Sequence, residues 1–145
     1  AMYMFKNLNL KRLYLIDPYL FYEDWADGRV VTQDYSDIKE VAIKRLKKFG
    51  NKAEFIYKKS MDAFPIIKNK EKNGLDFIYL DANHNYKNVK EELESYWKLI
   101  KKGGIIGGHD FEFFSIAKAV VEFAEKHKVE VITKQKYGEF MIIKR

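Results

Sequence analysis

Two polar stretches of the sequence directly follow apolar runs and carry most of its acid and imidazole chemistry. The first ends the segment LDFIYLDANHNY at 75–86 and supplies Asp81, Asn83, His84 and Tyr86. The second is GGHDF, which supplies His109 and Asp110. If the preceding runs are neighbouring strands, the two aspartates should lie about 5 to 8 Å apart, since paired strands are about 4.8 Å apart. We therefore predict that Asp81 and Asp110 face one another across a polar pocket, with the two histidines at its edge.

Two chemistries suit these side chains, and a structural alternative stands beside them. Two carboxylates and an imidazole can hold a hard divalent cation such as Mg²⁺, or can remove a proton from a substrate hydroxyl. In the structural alternative, Asp81 accepts backbone N–H bonds within its own loop, Asn85 caps the next helix, and His109 is a hydrogen-bonded structural histidine. The convergence of the polar residues on one edge of a sheet favours a functional site.

Two other motifs have simpler interpretations. His127 lies in AEKHKVE at a predicted helix end, where an imidazole complements the helix dipole. The segment GGIIGG at 103–108 lacks the G-x-G-x-x-G order of a phosphate loop and follows a helix instead of a first strand. Its glycines therefore predict a tight turn and close packing.

Strands alternate with helices along the chain. Apolar runs rich in strand formers predict strands at 11–17, 53–57, 75–80, 103–108, 129–133 and 139–144. Helical spacing predicts helices from Ser36 to Gly50, from Met61 to about Lys70, from Asn85 to Lys101–Gly103, and around Ile116–Ala124. Pro18 ends the first strand, and a loop is expected after it.

This alternation is typical of an α/β fold with βαβ units and a mostly parallel sheet. The predicted strand order is 53–57, 11–17, 75–80 and 103–108, with 139–144 antiparallel beside the last of these and helices on both faces. Ligands of such sheets bind outside the carboxyl ends of the strands. Asp17, Ser60, Asp81 and Asp110 each follow a predicted strand, so they should gather at this edge.

Composition restricts the class of protein. The 145 residues, with 47% hydrophobic and 33% charged side chains, are consistent with one folded domain spanning 1–145. The absence of cysteine excludes disulfides and thiolate metal sites, and no run approaches the roughly 20 apolar residues of a membrane span. We expect a cytoplasmic protein without membrane contact. The net charge of +6 comes from lysines spread over predicted polar helix faces, so nucleic acid is not an expected partner.

The stretch LDFIYLDANHNYKNVKEELESYWKLIKKGGIIGGHDF resembles the class I S-adenosylmethionine-dependent methyltransferases. The similarity is to the branch with D-x-x-H-x-Y after the fourth strand and G-G-x-I-x-x-H-D after the fifth. It is specific over about 37 residues and looser elsewhere. The resemblance implies a Rossmann-like methyltransferase sheet with an antiparallel last strand, and S-adenosylmethionine as the cofactor.

The resemblance also assigns residues to roles. LYLIDPY resembles the second strand of the family, which makes Asp17 the ribose-binding acid. AEFIYKKSMDAFPII resembles the third strand and the loop that borders the adenine, which implies Ser60, Met61 and Asp62 as cofactor contacts. Lys58 and Lys59 stand where the family often has glycine and aspartate, so the usual adenine contact is replaced, with Asp62 as the substitute.

The same resemblance assigns the catalytic roles to the two polar junctions. The catalytic candidates are Asp81, His84, His109 and Asp110. Of these, Asp81 and Asp110 are also the candidate ligands of Mg²⁺ or another divalent cation.

The first strand of the family and its glycine-rich loop have no counterpart in the sequence. This predicts an N-terminally truncated methyltransferase domain that binds its cofactor weakly or not at all, because the cofactor's amino-acid portion loses backbone donors. Without the central strand, backbone N–H and C=O groups of the neighbouring strands lose their partners. Those strands can then pair with one another, or the exposed sheet region can pair with a second copy in a homo-oligomer.

Three hypotheses about function follow. The first is methyl transfer to an oxygen or nitrogen of a small molecule, with the truncated chain itself inactive or active. The second is a non-catalytic methyltransferase-like remnant that binds a partner chain. The third is a divalent-metal hydrolase that uses the four catalytic candidates.

Overall fold

Helices and strands alternate in the computed structural model, which describes residues 1–20, 22–26, 29–33, 36–134 and 138–145. The helices are Met2–Asn7 (α1), Ser36–Leu46 (α2), Ser60–Lys70 (α3), Tyr86–Trp97 (α4) and Phe114–His127 (α5), with a 3-10 helix at Lys47–Lys52. The strands are Leu13–Ile16 (β1), Tyr22–Ala26 (β2), Arg29–Gln33 (β3), Ala53–Ile56 (β4), Leu75–Leu80 (β5), Ile100–Gly108 (β6), Val131–Lys134 (β7) and Glu139–Ile143 (β8). The α/β class predicted from the sequence is confirmed.

The chain divides into two compact units, residues 1–23 with 32–63 and residues 24–31 with 64–145. In the first unit, β1 and β4 pair in parallel, from Leu13 opposite Ala53 to Ile16 opposite Ile56. Strands β2 and β3 form a second two-stranded sheet. The prediction of a single domain at 1–145 stays a prediction.

The second unit contains a four-stranded sheet in the order β5-β6-β8-β7. Strands β5 and β6 are parallel, whereas β8 is antiparallel to both β6 and β7. Alternate residues of β8 are buried, with Phe140 2% and Ile142 0% exposed, and α4 and α5 contribute Leu93, Val120 and Phe123 to the same core. Each such side chain stabilises the fold by roughly 1.5 to 3 kcal/mol through burial. The predicted antiparallel strand beside β6 is confirmed.

Glycines bring β5 and β8 close to β6 at its carboxyl end. A Cβ on Gly108 would lie 2.5 Å from the carbonyl oxygen of Leu80 and 2.7 Å from Cε1 of Phe140. Gly108 is also the register partner of Leu80, and the N–H of His109 donates to the Leu80 carbonyl over 3.2 Å. The close packing predicted for GGIIGG is therefore present, and it places the ends of β5 and β6 side by side.

The helices α4 and α5 are joined by ion pairs at their C-terminal halves. Glu94 of α4 contacts Lys126 Nζ at 2.7 Å and His127 Nε2 at 3.2 Å. Burial alone would raise the pKa of Glu94, but the hydrogen bonds and charges of these two partners outweigh it and lower that pKa. His127 lies at the end of α5 as predicted, and its imidazole serves the contact between the two helices.

Several boundaries and pairings differ from the predictions. The helix from Ser36 ends at Leu46 and continues as the 3-10 helix, in which Gly50 takes φ 53°. The helix after Asn85 ends at Trp97, because the following residues from Ile100 onward already belong to β6. Residues 22–33, expected to be a loop, include two strands.

The predicted pairing of strand 11–17 with strand 75–80 is wrong. The structure places β1 and β5 in different hydrogen-bonded sheets, with β4 as the partner of β1 and β6 as the partner of β5. Among the described residues, β1 and β5 therefore do not re-pair across the position of the family's central first strand, and each has a paired neighbour on one side only.

Candidate active site

The polar residues of the two junctions meet in a small crevice at the ends of β5 and β6. Its volume is about 20 Å³, enough for one water molecule or one ion. It is lined by Leu80, Asp81, Ala82, Asn83, His84, Val89, Glu92, His109, Asp110, Ile116 and Phe140. All four catalytic candidates from the sequence therefore lie at one place.

The loop between β5 and α4 is shaped by its asparagines. Oδ1 of Asn83 accepts hydrogen bonds from the Asn85 N–H and from Nδ2 of Asn88, and both bonds are 2.8 Å long. Asn85 is the N-cap of α4, with its Oδ1 accepting from the Lys87 N–H over 3.0 Å. Among the described residues, no loop N–H donates to Asp81. Asn85 thus caps α4, as the structural alternative predicted. The side chain that accepts a backbone N–H bond within the loop is that of Asn83, whereas the structural alternative had assigned this role to Asp81.

Asp110 is the common partner of the two histidines. Its Oδ2 lies 2.7 Å from Nε2 of His84, and its Oδ1 lies 3.0 Å from Nδ1 of His109. The backbone of Asp110 has φ 60°, a left-handed conformation that aspartate tolerates better than most residues and that is common at functional sites. This turn of the backbone directs the carboxylate between the two imidazoles.

The two histidines differ in accessibility. The His84 side chain is 18% exposed, and its ring packs 5.3 Å from the ring of Phe113. The His109 side chain is 41% exposed. A substrate can therefore approach His109 more readily than His84.

Burial and neighbouring charges in the crevice shift the pKa of Asp81 and of His109. Burial of the carboxyl group and the neighbouring Asp110 raise the pKa of Asp81, although the two histidines oppose the shift. Burial would lower the pKa of His109, but its hydrogen bond to Asp110 and the charges of Asp110, Asp81 and Glu112 raise it. Both groups therefore bind a proton more strongly than usual, a property typical of catalytic acids and bases.

Three ligand atoms in the crevice are close enough to share a cation. Asp81, His109 and Asp110 each offer one atom, and these atoms lie within 4.8 Å of one another. The ligand atoms of the two aspartates are thus slightly nearer than the roughly 5 to 8 Å expected from the sequence. His109 supplies the imidazole that the sequence placed beside two carboxylates as a possible cation ligand.

Two residues near the crevice were not predicted from the sequence. Glu92 of α4 lines it and is only 5% exposed, although carboxylates are seldom buried. It lies three residues after Val89 and four before Tyr96 on the buried face of the helix, a position that marks it as unusual. Tyr79 of β5 is the second, and burial with the charges of Glu139, Asp81 and Asp110 raises its pKa to about 12.

The predicted cofactor residues lie in the first unit. Asp17 follows β1 directly, and its Oδ1 accepts a hydrogen bond from the Tyr19 N–H over 2.6 Å. Among the described residues, none donates a hydrogen bond to Oδ2, the other carboxylate oxygen of Asp17. Ser60, Met61 and Asp62 form the first turn of α3. A strand-end carboxylate with one oxygen left over is a suitable acceptor for a ribose hydroxyl.

Comparison with known proteins supports one family. Residues 2–111 match the model of a family described as "Methyltransferase domain". An uncharacterized protein of Acanthamoeba polyphaga mimivirus is 26% identical over 125 residues, which are 85% of this chain and 51% of that protein. The chain thus spans about half the length of this curated relative.

Solved structures share the fold at low sequence identity. The calicheamicin methyltransferase CalS11 aligns with 94% of this chain and 62% of its own at a TM-score of 0.66 and 13% identity. An O-methyltransferase from Bacillus cereus, solved in complex with SAH, aligns with 92% of this chain and 63% of its own at a TM-score of 0.58 and 18% identity. At these identities the likeness concerns the fold alone. No helix among the described residues has the length and apolar character needed to cross a membrane.

Proposed function

The chain belongs to the methyltransferase-domain family, and from this premise we propose that it forms part of an enzyme that transfers the methyl group of S-adenosylmethionine to an oxygen or nitrogen of a small molecule. The observation that carries the proposal is the Asp110–His109 pair beside Asp81 at the ends of two paired parallel strands. Such strand ends are where α/β sheets bind their ligands.

Asp17 is the proposed contact to the cofactor's ribose. Its carboxylate stands at the end of a parallel strand, and the Tyr19 N–H fixes the orientation through Oδ1. Ser60, Met61 and Asp62 at the start of α3 are proposed to contact the adenine. When bound, S-adenosylmethionine supplies an electrophilic methyl group on its sulfonium sulfur.

His109 is the proposed general base. Its Nδ1 faces Asp110, so the neutral imidazole carries its proton on Nδ1 and presents the lone pair of Nε2. The acceptor's hydroxyl or amine proton passes to Nε2 while the acceptor's lone pair forms the bond to the methyl carbon. The electron pair of the breaking carbon–sulfur bond stays on sulfur. Positioning supplies most of the rate in such a displacement.

Asp110 and Asp81 support this proton transfer in different ways. Asp110 orients His109 and stabilises the imidazolium that forms when the proton arrives. The negative charge of Asp81 raises the pKa of His109 further, as stated above. His84, which is less exposed and bonded to the other oxygen of Asp110, is proposed to hold that carboxylate in place.

A bound divalent cation is the alternative use of the same cluster. The ligand atoms of Asp81, His109 and Asp110 lie within 4.8 Å of one another, and the crevice has room for one ion. Two carboxylates and one imidazole form a donor set that suits a divalent cation. A cation there would polarise the acceptor oxygen and would occupy His109, so the two uses exclude one another at that residue.

Methyl transfer from labelled S-adenosylmethionine to a panel of small hydroxyl and amine acceptors tests the proposal. His109→Gln should lower turnover by about 10² to 10⁴-fold, the usual contribution of a general base. His127→Gln is the matched control, since the contacts of His127 within the described part of the chain lie at the α4–α5 interface, and it should leave turnover unchanged. Addition of EDTA separates the two uses of the cluster, because only the cation-dependent reaction stops.

Three results would contradict the proposal. Absence of S-adenosylmethionine binding would favour the partner-binding remnant. Metal-dependent hydrolysis without methyl transfer would favour the hydrolase. Equal turnover of the wild type and His109→Gln in the presence of EDTA would remove the proton-transfer role of His109.

A further inference from the structure

The surface between the N-terminal turn of α4 and the middle of α5 holds a tyrosine among three charged side chains. The hydroxyl of Tyr86 donates to Oε2 of Glu122 in a short hydrogen bond. Lys90 Nζ lies 2.8 Å from the same hydroxyl and 2.9 Å from the same carboxylate oxygen. We name this group, Tyr86, Lys90, Lys118 and Glu122, the tyrosine clamp.

Two lysines also fix the ring of Tyr86. Nζ of Lys90 and Nζ of Lys118 each lie 5.1 Å from the ring centroid, within the range of cation–π attraction. Lys118 approaches Glu122 as well, at 4.0 Å one turn along α5. The Tyr86 side chain is thus held at its hydroxyl and at its ring. Three of these contacts join α4 to α5: Tyr86 to Glu122, Lys90 to Glu122, and Lys118 to the Tyr86 ring.

We propose that Tyr86 is a positioning residue that sets the distance between His84 and Asp110. Tyr86 is the first residue of α4 and stands two residues after His84. The loop that carries Asp110 leads directly into α5, which begins at Phe114. Each site loop is therefore attached to the start of one helix, and the tyrosine clamp fixes those two helices to one another.

The loop between His84 and the clamp has little freedom. Asn85 caps α4, and Asn83 is bonded to both Asn85 and Asn88. A shift of Tyr86 relative to α5 would therefore be transmitted to His84, which lies 2.7 Å from Asp110 across the two loops. At this length the hydrogen bond leaves little room for displacement before it weakens.

A second tie between the same helices offers a matched control. Glu94 contacts Lys126 and His127 near the C-terminal ends of α4 and α5, eight residues further along α4 than Tyr86. Like Glu122 in the tyrosine clamp, Glu94 pairs with a lysine across the two helices, but it is far along the helix from the loop that carries His84. If the tie at Tyr86 were merely structural, loss of either tie should have the same consequences.

The test compares Tyr86→Phe with Glu94→Gln in the whole chain, without cofactor or metal. Phenylalanine keeps the ring and its cation–π contacts and removes only the hydroxyl. The ring ¹⁵N and ¹H signals of His84, assigned by NMR, report its hydrogen bond to Asp110. The thermal midpoint reports stability separately. Glu122→Gln is a second variant at the clamp, since it leaves a hydrogen-bond acceptor but removes the charge.

We expect Tyr86→Phe to shift or broaden the His84 signals and Glu94→Gln to leave them at their wild-type positions, with small losses of stability in both. Glu122→Gln should shift the His84 signals in the same direction as Tyr86→Phe and by less. Unchanged His84 signals in Tyr86→Phe would overturn the inference, and so would equal shifts in Tyr86→Phe and Glu94→Gln.

The relevance of this positioning to catalysis rests on the proposed function, but its test does not. In the active enzyme, Tyr86→Phe should lower kcat by about tenfold with little change in KM, since hydrogen-bonded supporting residues commonly contribute 10 to 100-fold. If the wild type transfers no methyl group, the proposed function fails while the His84 signals still decide the positioning role.

Discussion

Replacement of Asp81 by asparagine should lower turnover and leave the fold as stable as before or slightly more stable. Burial and the charge of Asp110 raise the pKa of Asp81, so its ionised form is disfavoured in the folded protein. Asparagine keeps the shape and removes the charge. No described loop N–H depends on the Asp81 carboxylate, because Asn83 accepts the bond that orders the loop.

The raised pKa of Asp81 also sets the expected change in the free energy of unfolding. Each unit by which folding raises a carboxyl pKa costs the ionised folded state about 1.36 kcal/mol. The carboxyl group of Asp81 is partly buried in the crevice while the residue keeps contact with solvent, so solvent screening should reduce the gain from its replacement to less than about 1 kcal/mol. For a chain of this size that corresponds to a rise of less than roughly 3 °C in the thermal midpoint.

The pH dependence of this gain is opposite to that of a stabilising ion pair. Below the unfolded pKa of about 3.8, Asp81 is protonated in both states and the variant has no advantage. The advantage grows as pH rises from there through the higher folded pKa, and it is complete above that value.

Thermal unfolding from pH 3 to pH 8 in the presence of EDTA measures the effect, and methyl transfer at pH 7 measures the catalytic role. The matched control is Asp76→Asn on the same strand, since Asp76 is 87% exposed and, among the described residues, its ion pair is with Lys101. Turnover should fall by about 10²-fold in Asp81→Asn and remain unchanged in the control. A loss of several degrees in the midpoint of Asp81→Asn at pH 7, with unchanged turnover, would refute the reasoning.

Three further outcomes are expected. Gly108→Ala should lower the free energy of unfolding by about 1 to 3 kcal/mol in urea titrations, because its Cβ would lie 2.5 Å from the Leu80 carbonyl oxygen; an unchanged midpoint would contradict that packing. Glu94→Gln should destabilise the chain at neutral pH and have no effect below the lowered folded pKa of Glu94, as measured by thermal melts at several pH values; a loss that persists at pH 2 would exclude the ion pairs as its cause. Asp17→Asn should weaken SAH binding by about 10 to 100-fold in calorimetry, since a hydrogen bond to a charged group contributes about 1.5 to 3 kcal/mol; equal affinities would remove Asp17 from the cofactor site.

The sequence was sufficient to predict which junctions meet, because that depends on strand order alone. Asp81 and His109 follow consecutive parallel strands, and the pairing of Leu80 with Gly108 brings them together. The periodicity of apolar residues that identified those strands is a local property of the sequence.

Side-chain pairing in the site could not be predicted in the same way. The motifs contain two histidines and two aspartates, and nothing in their spacing indicates that Asp110 binds both imidazoles. That arrangement depends on the positive φ of Asp110 and on the burial of His84 against Phe113. Glu92 was missed for a related reason, since its burial depends on how α4 packs beside the crevice.

The unequal burial of the two histidines is consistent with the different tasks proposed for them. Asp110 contacts an imidazole at each carboxylate oxygen, so movement of either imidazole should affect the other through the shared carboxylate. His109, the more exposed of the two, can meet an acceptor, whereas His84 is enclosed by the loop that leads into the tyrosine clamp. If the tyrosine clamp positions His84 as proposed, it should also restrain the orientation of His109 through the shared carboxylate. Substitutions at the helix surface should consequently change the rate of methyl transfer without touching the acceptor, and those at the far end of the same two helices should not.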